Sequence, residues 1–419
     1  MTWFDRRKFA KLIILIGNHL KRKTMTPLIK CAFAPLLSLF IFLLGAGFFS
    51  TLLILKMTLA QASTWFMGAV TSVFYIGVVA GSLRTESIIL RLGYRYAYGF
   101  FALILALCCL LHGFVYEPGL WLILRFIAGF VTAGVFVVIE SWLLSVSSIC
   151  NRGQIMAWYM IAFYSAQSVS QFILCLKNTS PFFLYELAAL LSVISISPIA
   201  FLTSSIPRLT SSSSIPRIVL LKASIPGLTG ALVSGLIMGV IYGLLPVYLS
   251  ALSGGVSLVA TYMFAVIFGG MLLQYPLGKW SDQGDRRQVL MRITILTILT
   301  LLCLTGFKGP SGWLFGFMML FGGLTFALYP ISVSDACDAL GPEDIVAATQ
   351  TLLLAYSVGA MVGPVIASFF MLELGNRGLF IYCIVICAAT LPIYARKERL
   401  QPGTLIRTGR LPLDLKKPD

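Results

Sequence analysis

Residues 278–287 read GKWSDQGDRR, and the reading of that stretch decides the fold. It sets Lys279, Asp282, Asp285, Arg286 and Arg287 close together, directly after the apolar run MFAVIFGGMLLQYPL (263–277). Elsewhere charge is scarce: 11% of the 419 residues are charged and 58% are apolar. A charged side chain costs roughly 3 kcal/mol at the centre of a membrane helix and little at its edge. A knot of charge behind a long apolar run therefore marks a helix leaving a bilayer.

Working outward, the same punctuation recurs. Apolar stretches near the ~20 residues that cross ~30 Å of hydrocarbon repeat from Leu28 to Tyr394, and the mean hydropathy is +0.93. Twelve spans are expected, at 30–55, 65–84, 96–115, 119–146, 155–176, 181–204, 224–251, 258–279, 289–307, 312–334, 346–372 and 378–395. Residues 203–222, TSSIPRLTSSSSIPRIVLLK, are Ser-rich, hold Pro207 and Pro216 and repeat SIPR. Such a polar segment reads as a linker, and it divides the spans into six and six. The expected fold is an all-α membrane protein of twelve transmembrane helices in two six-helix pseudo-symmetric bundles. Its expected parts are a basic extension (1–27), a first bundle (28–204), a linker (205–222), a second bundle (223–396) and a basic tail (397–419).

Lys and Arg set the orientation. About 26 of the 31 fall on the side that carries both termini and the 278–287 loop; the other side holds Lys56, Lys177, Lys308 and Arg377. Both termini are expected in the cytoplasm. The net charge of +16 then reads as orientation and contact with anionic lipid, with no need of a nucleic-acid partner. The opening MTWFDRRKFAKLIILIGNHLKRKTM has an apolar core shorter than a signal peptide's. It reads either as an interfacial basic helix or as sequence ahead of a start at Met25.

The nine cysteines are scattered through apolar runs, only Cys383 and Cys387 share a helical face, and the histidines are His19 and His112. Neither a disulfide framework nor a metal site is expected. No phosphate-binding G-x-x-x-x-G-K-[ST] and no H-E-x-x-H occurs, so ATP drive and metalloprotease chemistry are disfavoured and no cofactor is expected.

The halves echo each other at an offset of about 197 residues: WFMGAVTSVFYIGVVAGSLR (65–84) lies over YMFAVIFGGMLLQYPLGKWS (262–281), and Gly81 falls on Gly278. Parallel six-helix repeats are the plan of alternating-access carriers, whose substrate site lies between the halves. With that plan, Gly278, Asp282, Arg286 and Arg287 resemble motif A of the major facilitator superfamily, although Gln283 and Asp285 depart from it. Gly278 would let two helices approach closely. The resemblance implies a latch in which Asp282 pairs with Arg286 or Arg287 and faces the N-terminal end of the helix starting near Val346. The first-half counterpart, with Gly81, Arg91, Gly93 and Arg95, has Thr85 in the acid position and Glu86 one residue late, so its latch should be weaker.

In the fourth span, Arg125 four residues before Gly129 resembles motif B, with Ala128 in the usual glutamine position. The resemblance implies proton coupling or contact with a substrate anion; the alternative is a snorkelling arginine near the outer end. In the eleventh span, Gly359, Gly363 and Pro364 resemble the core of motif C, but in the wrong span to give a direction, and they read as packing residues. Glu140 is expected to pair with Arg152 or a basic loop residue at the cytoplasmic face. The runs taken together are similar to a bacterial branch of YcaD-type inner-membrane carriers.

For substrate contacts, Tyr164, Gln167, Ser168 and Gln171 share one face of the fifth span. Tyr242, Gln274, Tyr275, Gln350 and Tyr356 could face them. Glu186 reads as a proton site or an interfacial acid. The expected function is a monomeric, proton-coupled secondary transporter of a small molecule. A cavity with few charges favours export of drug-like or metabolite molecules over nutrient uptake. A non-transporting receptor on a carrier fold is a weaker alternative.

Overall fold

The computed structural model describes residues 27–115, 117–147, 152–176, 182–202, 225–252, 255–307, 309–338 and 345–395. The extension up to Thr26, the linker and the tail lie outside the described residues. The helices are α1 (Pro27–Leu59), α2 (Thr64–Phe114), α3 (Pro118–Val146), α4 (Arg152–Ser170), α5 (Phe183–Ile194), α6 (Ile196–Leu202) and α7 (Ile225–Gly243). They continue with α8 (Leu245–Ser250), α9 (Gly255–Asp282), α10 (Arg286–Gly306), α11 (Gly312–Asp338), α12 (Ile345–Leu374) and α13 (Gly378–Ala395). There is no strand among the described residues.

Nine stretches of the described residues are long and apolar enough to cross a membrane. Two of these, Thr64–Phe114 with 51 residues and Thr351–Ala395 with 45, hold two crossings each. The remaining crossing is α4, prolonged by the 3₁₀ turn Gln171–Cys175. The sixth crossing is shared by α5 and α6, and the seventh by α7 and α8, the latter opening with Pro246 in its first turn.

One correction concerns residues 85–95, expected as a loop. The backbone stays helical through Leu92 and breaks only at Gly93 (φ 78, ψ 163). A straight helix of that length would run to roughly 75 Å, more than twice the hydrocarbon thickness. No proline or glycine interrupts 82–92, so the helix simply continues past the bilayer edge. The 278–287 stretch is likewise mostly helix: α9 runs to Asp282, α10 begins at Arg286, and Asp285 caps α10 by accepting from the Arg287 backbone N–H at 3.0 Å.

Within each half the helices are nailed by large buried side chains, among them Phe42, Phe101 and Trp142 in the first and Phe321, Phe380 and Tyr382 in the second. The buried Tyr98 hydroxyl donates to the Ser38 carbonyl at 3.1 Å and lies 3.0 Å from Ser195 Oγ, tying the first, third and sixth crossings. Between the halves, α2 packs on α12 and α4 on α9. Close approaches cluster at the end opposite the charged loops. A methyl at Gly68 would sit 2.8 Å from the Pro364 carbonyl and 3.3 Å from Ser368 Cβ, and one at Gly243 would meet Thr71 at 2.6 Å. At the same end the Phe172 and Phe264 rings lie 5.0 Å apart.

Candidate functional site

Between the two halves lies a cavity of about 440 Å³, within the ~300–1,000 Å³ range of small-molecule sites. Its first-half lining comes from α1 to α4, and its second-half lining from α7, α11 and α12. The surface is dominated by apolar and aromatic side chains, and it runs toward the charged end through Phe136, Tyr159, Tyr329 and Leu353. The Phe326 ring spans the halves, 5.5 Å from Tyr164 and 6.3 Å from Tyr242.

Among the described residues Arg125 is the one cation in this lining, which holds no described Asp, Glu or Lys. The residue is 4% exposed, which removes the snorkelling alternative. Its guanidinium carbon lies 5.7 Å from the centre of the Phe49 ring and 5.5 Å from that of Phe74, and its Nε has no hydrogen-bond partner. Burying an unpaired ion costs several kcal/mol, and two ring contacts return about 1–2 kcal/mol each. That unreturned cost makes Arg125 the leading candidate for a functional residue in the cavity.

Gly129 serves that arginine indirectly. A methyl there would lie 1.9 Å from the Phe74 carbonyl, so glycine lets α3 and α2 touch backbone to backbone and carries Phe74 to the guanidinium. Gly359 and Gly363 do the same for α12 and α7, against the carbonyls of Leu232 at 2.2 Å and Leu236 at 2.3 Å. Pro364 faces Gly68 of the other half.

Of the residues singled out from sequence, Tyr164, Gln167, Tyr242 and Tyr356 line the cavity with Arg125. Ser168 and Gln171 belong to packing instead. Ser168 bonds back to the Tyr164 carbonyl at 2.7 Å, and the fully buried Gln171 accepts from Thr51 at 2.9 Å and donates to the Gln167 carbonyl at 3.2 Å. Gln274 is half-buried away from the cavity, and Tyr275 is 78% exposed on the outer face. Glu186 is exposed in the first turn of α5 and does not line the cavity. Glu140 is exposed in α3, whereas the side chains of Arg152 and Gln350 lie outside the described residues, so the expected Glu140–Arg152 pair does too.

The charged loop departs in detail from its expected geometry. Arg286 pairs with Asp282 at 2.9 Å and with Asp338, at the end of α11, at 2.5 Å. Arg287 does not join them. It donates to the carbonyls of Tyr394 and Ile393 at 2.9 and 2.8 Å and so caps α13, where a cation also complements the helix dipole. Gly278 has open space where its Cβ would be, so it does not serve close helix approach; Gly81 does, with the Phe130 carbonyl at 2.3 Å. In the first half Arg91 is exposed and Arg95 half-buried beside the break at Gly93.

Sequence reasoning missed Tyr75, Tyr159, Ser234 and Tyr329 in the cavity. Each sits in an apolar run, where periodicity does not tell which face meets the other half. His112, not among the lining residues, shares the Phe49 ring with Arg125. This buried side chain donates from Nδ1 to the Cys108 carbonyl at 2.7 Å, leaves Nε2 without a partner, and stands edge-on to Phe49 at 5.5 Å.

Comparison with known proteins agrees with this fold. The Major Facilitator Superfamily profile matches residues 227–417. An uncharacterized MFS-type transporter of Yersinia enterocolitica, YE1530, is 30% identical over 379 residues, 87% of this chain and 95% of the relative. The uncharacterized MFS-type transporter YcaD of Salmonella enteritidis PT4 is 31% identical over 350 residues, 83% of this chain and 90% of the relative. Among solved structures, nucleoside transporter NupG superposes with a TM-score of 0.69 at 18% identity, covering 89% of this chain and 100% of that one. An inward-facing bacterial homolog of the human lysosomal transporter Spinster gives 0.67 at 12% identity, covering 88% and 96%.

Proposed function

Because the chain belongs to the major facilitator superfamily, we propose that it carries a small solute across the bacterial inner membrane by rocking its two six-helix halves about the central cavity. The observation that carries this reading is the cavity itself: both halves line it, and inter-half packing shuts it at the end away from the charged loops. By the positive-inside rule the charged end faces the cytoplasm, together with both termini and the anionic lipid around them. The conformer is then inward-facing, and Arg286 with Asp282 and Asp338 is a cytoplasmic clasp of α9, α10 and α11. We read the carrier as a monomer, the unit that already contains the whole cavity.

The aromatic lining suits amphiphilic solutes, which places export of drug-like or metabolite molecules ahead of nutrient uptake. Proton coupling would act at Arg125 or the adjacent His112, since Glu186 stands away from the cavity.

A cross-link tests the rocking. Cysteines at Gly68 and Ser368 would place their Cβ atoms about 3.3 Å apart, close to the ~3.5–4.5 Å of a disulfide. In a background without native cysteines, a reporter thiol at Tyr164 should be labelled from both sides of the membrane. After oxidation it should be labelled from the cytoplasmic side alone. Undiminished labelling from the outside after complete cross-linking would sink the proposal.

A further inference from the structure

We infer that the solute is an organic monoanion, a single carboxylate or sulfonate on an aromatic or otherwise apolar body, with Arg125 as its counter-charge. The inference rests on the carrier reading above and names the class of its cargo. Three observations carry it. Arg125 is 4% exposed and lines the cavity, yet among the described residues no carboxylate pairs with it: its guanidinium lies against the rings of Phe49 and Phe74, and its Nε has no partner. Among the described residues the cavity lining holds no Asp or Glu to neutralise it. Two further polar atoms in the same lining, Gln167 Oε1 and Ser234 Oγ, are buried without hydrogen-bond partners, one on each half of the molecule.

A guanidinium favours planar anions because its N–H groups fork onto two oxygens. One uncompensated cation favours one negative charge. A phosphate monoester, with about two charges near neutral pH, would leave one charge unmatched in an apolar chamber. A cationic solute would add a second positive charge to it. The rest of the solute meets Phe136, Phe163, Phe326 and the tyrosines at 164, 242 and 356, surfaces that take up an apolar or aromatic body. Gln167 and Ser234 would read a hydroxyl or amino substituent on that body.

The site also suggests how such an anion acts on the carrier. Arg125 and Gln167 belong to the first half and Ser234 to the second, so a solute touching all three bridges the surfaces that must move past each other. The arginine remains unmatched until the anion arrives, which couples occupancy to the electrostatics of the cavity.

The test uses the full chain, purified in detergent and reconstituted in vesicles. The probes are 4-phenylbutyrate and cyclohexanecarboxylate, each with its neutral amide and its amine, with phenyl phosphate as the dianion and sodium chloride as the simple anion. Thermal stabilisation should be at least tenfold stronger in apparent affinity for the acids than for their amides, and absent for the amines. Arg125→Gln should abolish that tenfold preference, and Arg125→Lys should keep part of it. The comparison of acid with amide in the unaltered protein stands even where a variant fails to fold.

Equal binding of acid and amide, preference for amine or phosphate, silence of both acids, or a chloride effect matching the acids overturns the inference. Flux measurements separate it from the reading beneath it. Amides carried as fast as acids leave the carrier standing and remove the anion. Acids bound through Arg125 with no flux keep the site and remove the carrier.

Discussion

The stretches 81–95 and 278–287 occupy equivalent places in the two halves, about 197 residues apart, and they are held by different forces. In the first, Gly81 lies against the Phe130 backbone, and the fully buried Thr85 turns its hydroxyl back onto the Gly81 carbonyl at 2.7 Å. The acid position is thus taken by a residue that satisfies itself inside its own helix. In the second, Gly278 faces open space where a Cβ would be, and order comes from Arg286 bridging Asp282 and Asp338 while Arg287 caps α13. One half is fastened by close packing and the other by charge. Packing sets a fixed distance, whereas exposed ion pairs can break and reform at small cost, so the second-half loop is the better place for a movable contact.

The comparison can be broken most severely at its glycines. Gly81→Leu should destabilise the protein by roughly 1–3 kcal/mol or more, the cost of overpacking, while Gly278→Leu should stay within about 0.5 kcal/mol of wild type. Thermal unfolding of the two variants in detergent measures the difference. Equal losses would mean that the two stretches are fastened alike after all.

A second, smaller contrast concerns how each chain turns. Gly93 adopts φ 78 and ψ 163, a region almost closed to residues with a Cβ, at a cost of about 1–3 kcal/mol. Gly284, the turn glycine of the other stretch, has no positive φ and only ordinary contacts near 3.8 Å. Gly93→Ala should lower the unfolding temperature clearly and Gly284→Ala should not. A neutral Gly93→Ala would show that the break between the second and third crossings is set elsewhere.

The fold was legible because bilayer thickness imposes one length on every crossing, and Lys and Arg avoid its interior. Span positions therefore agree with the helices to within a few residues, and the 51 residues of α2 read as two crossings on either side of the break at Gly93. What failed was helix against loop at the bilayer edge, where 85–92 continues as helix because nothing in its sequence stops it. Arg125 was legible as a charge in the wrong solvent. Tyr164 and Gln167 were legible as polar side chains on one face, but that rule also selected Ser168 and Gln171, which turn into packing. Periodicity defines a face and leaves open whether the face meets a cavity or a neighbouring helix. Tyr275 shows the opposite failure, an amphipathic side chain 78% exposed on the outer surface.

The smallest expected effect lies in the charged clasp. The side chains of Asp282 and Asp338 are 67% and 61% exposed, against 20% for Arg286. Exposed pairs contribute about 0.2–1 kcal/mol, so Asp282→Asn should barely move the unfolding temperature. Arg286→Gln removes both pairs and should exceed Asp282→Asn and Asp338→Asn taken singly. The useful readout is conformational: labelling of a thiol at Tyr164 from the cytoplasmic side should change by a fewfold at most with Asp282→Asn, and by more with Arg286→Gln. Because the pairs face water, the difference between variants should shrink as salt shortens the Debye length from ~10 Å at 0.1 M to ~3 Å at 1 M. The Gly81 variant should show no such dependence, since packing is not screened. A salt-independent Arg286 effect would mean that this arginine also acts through contacts other than its two carboxylates.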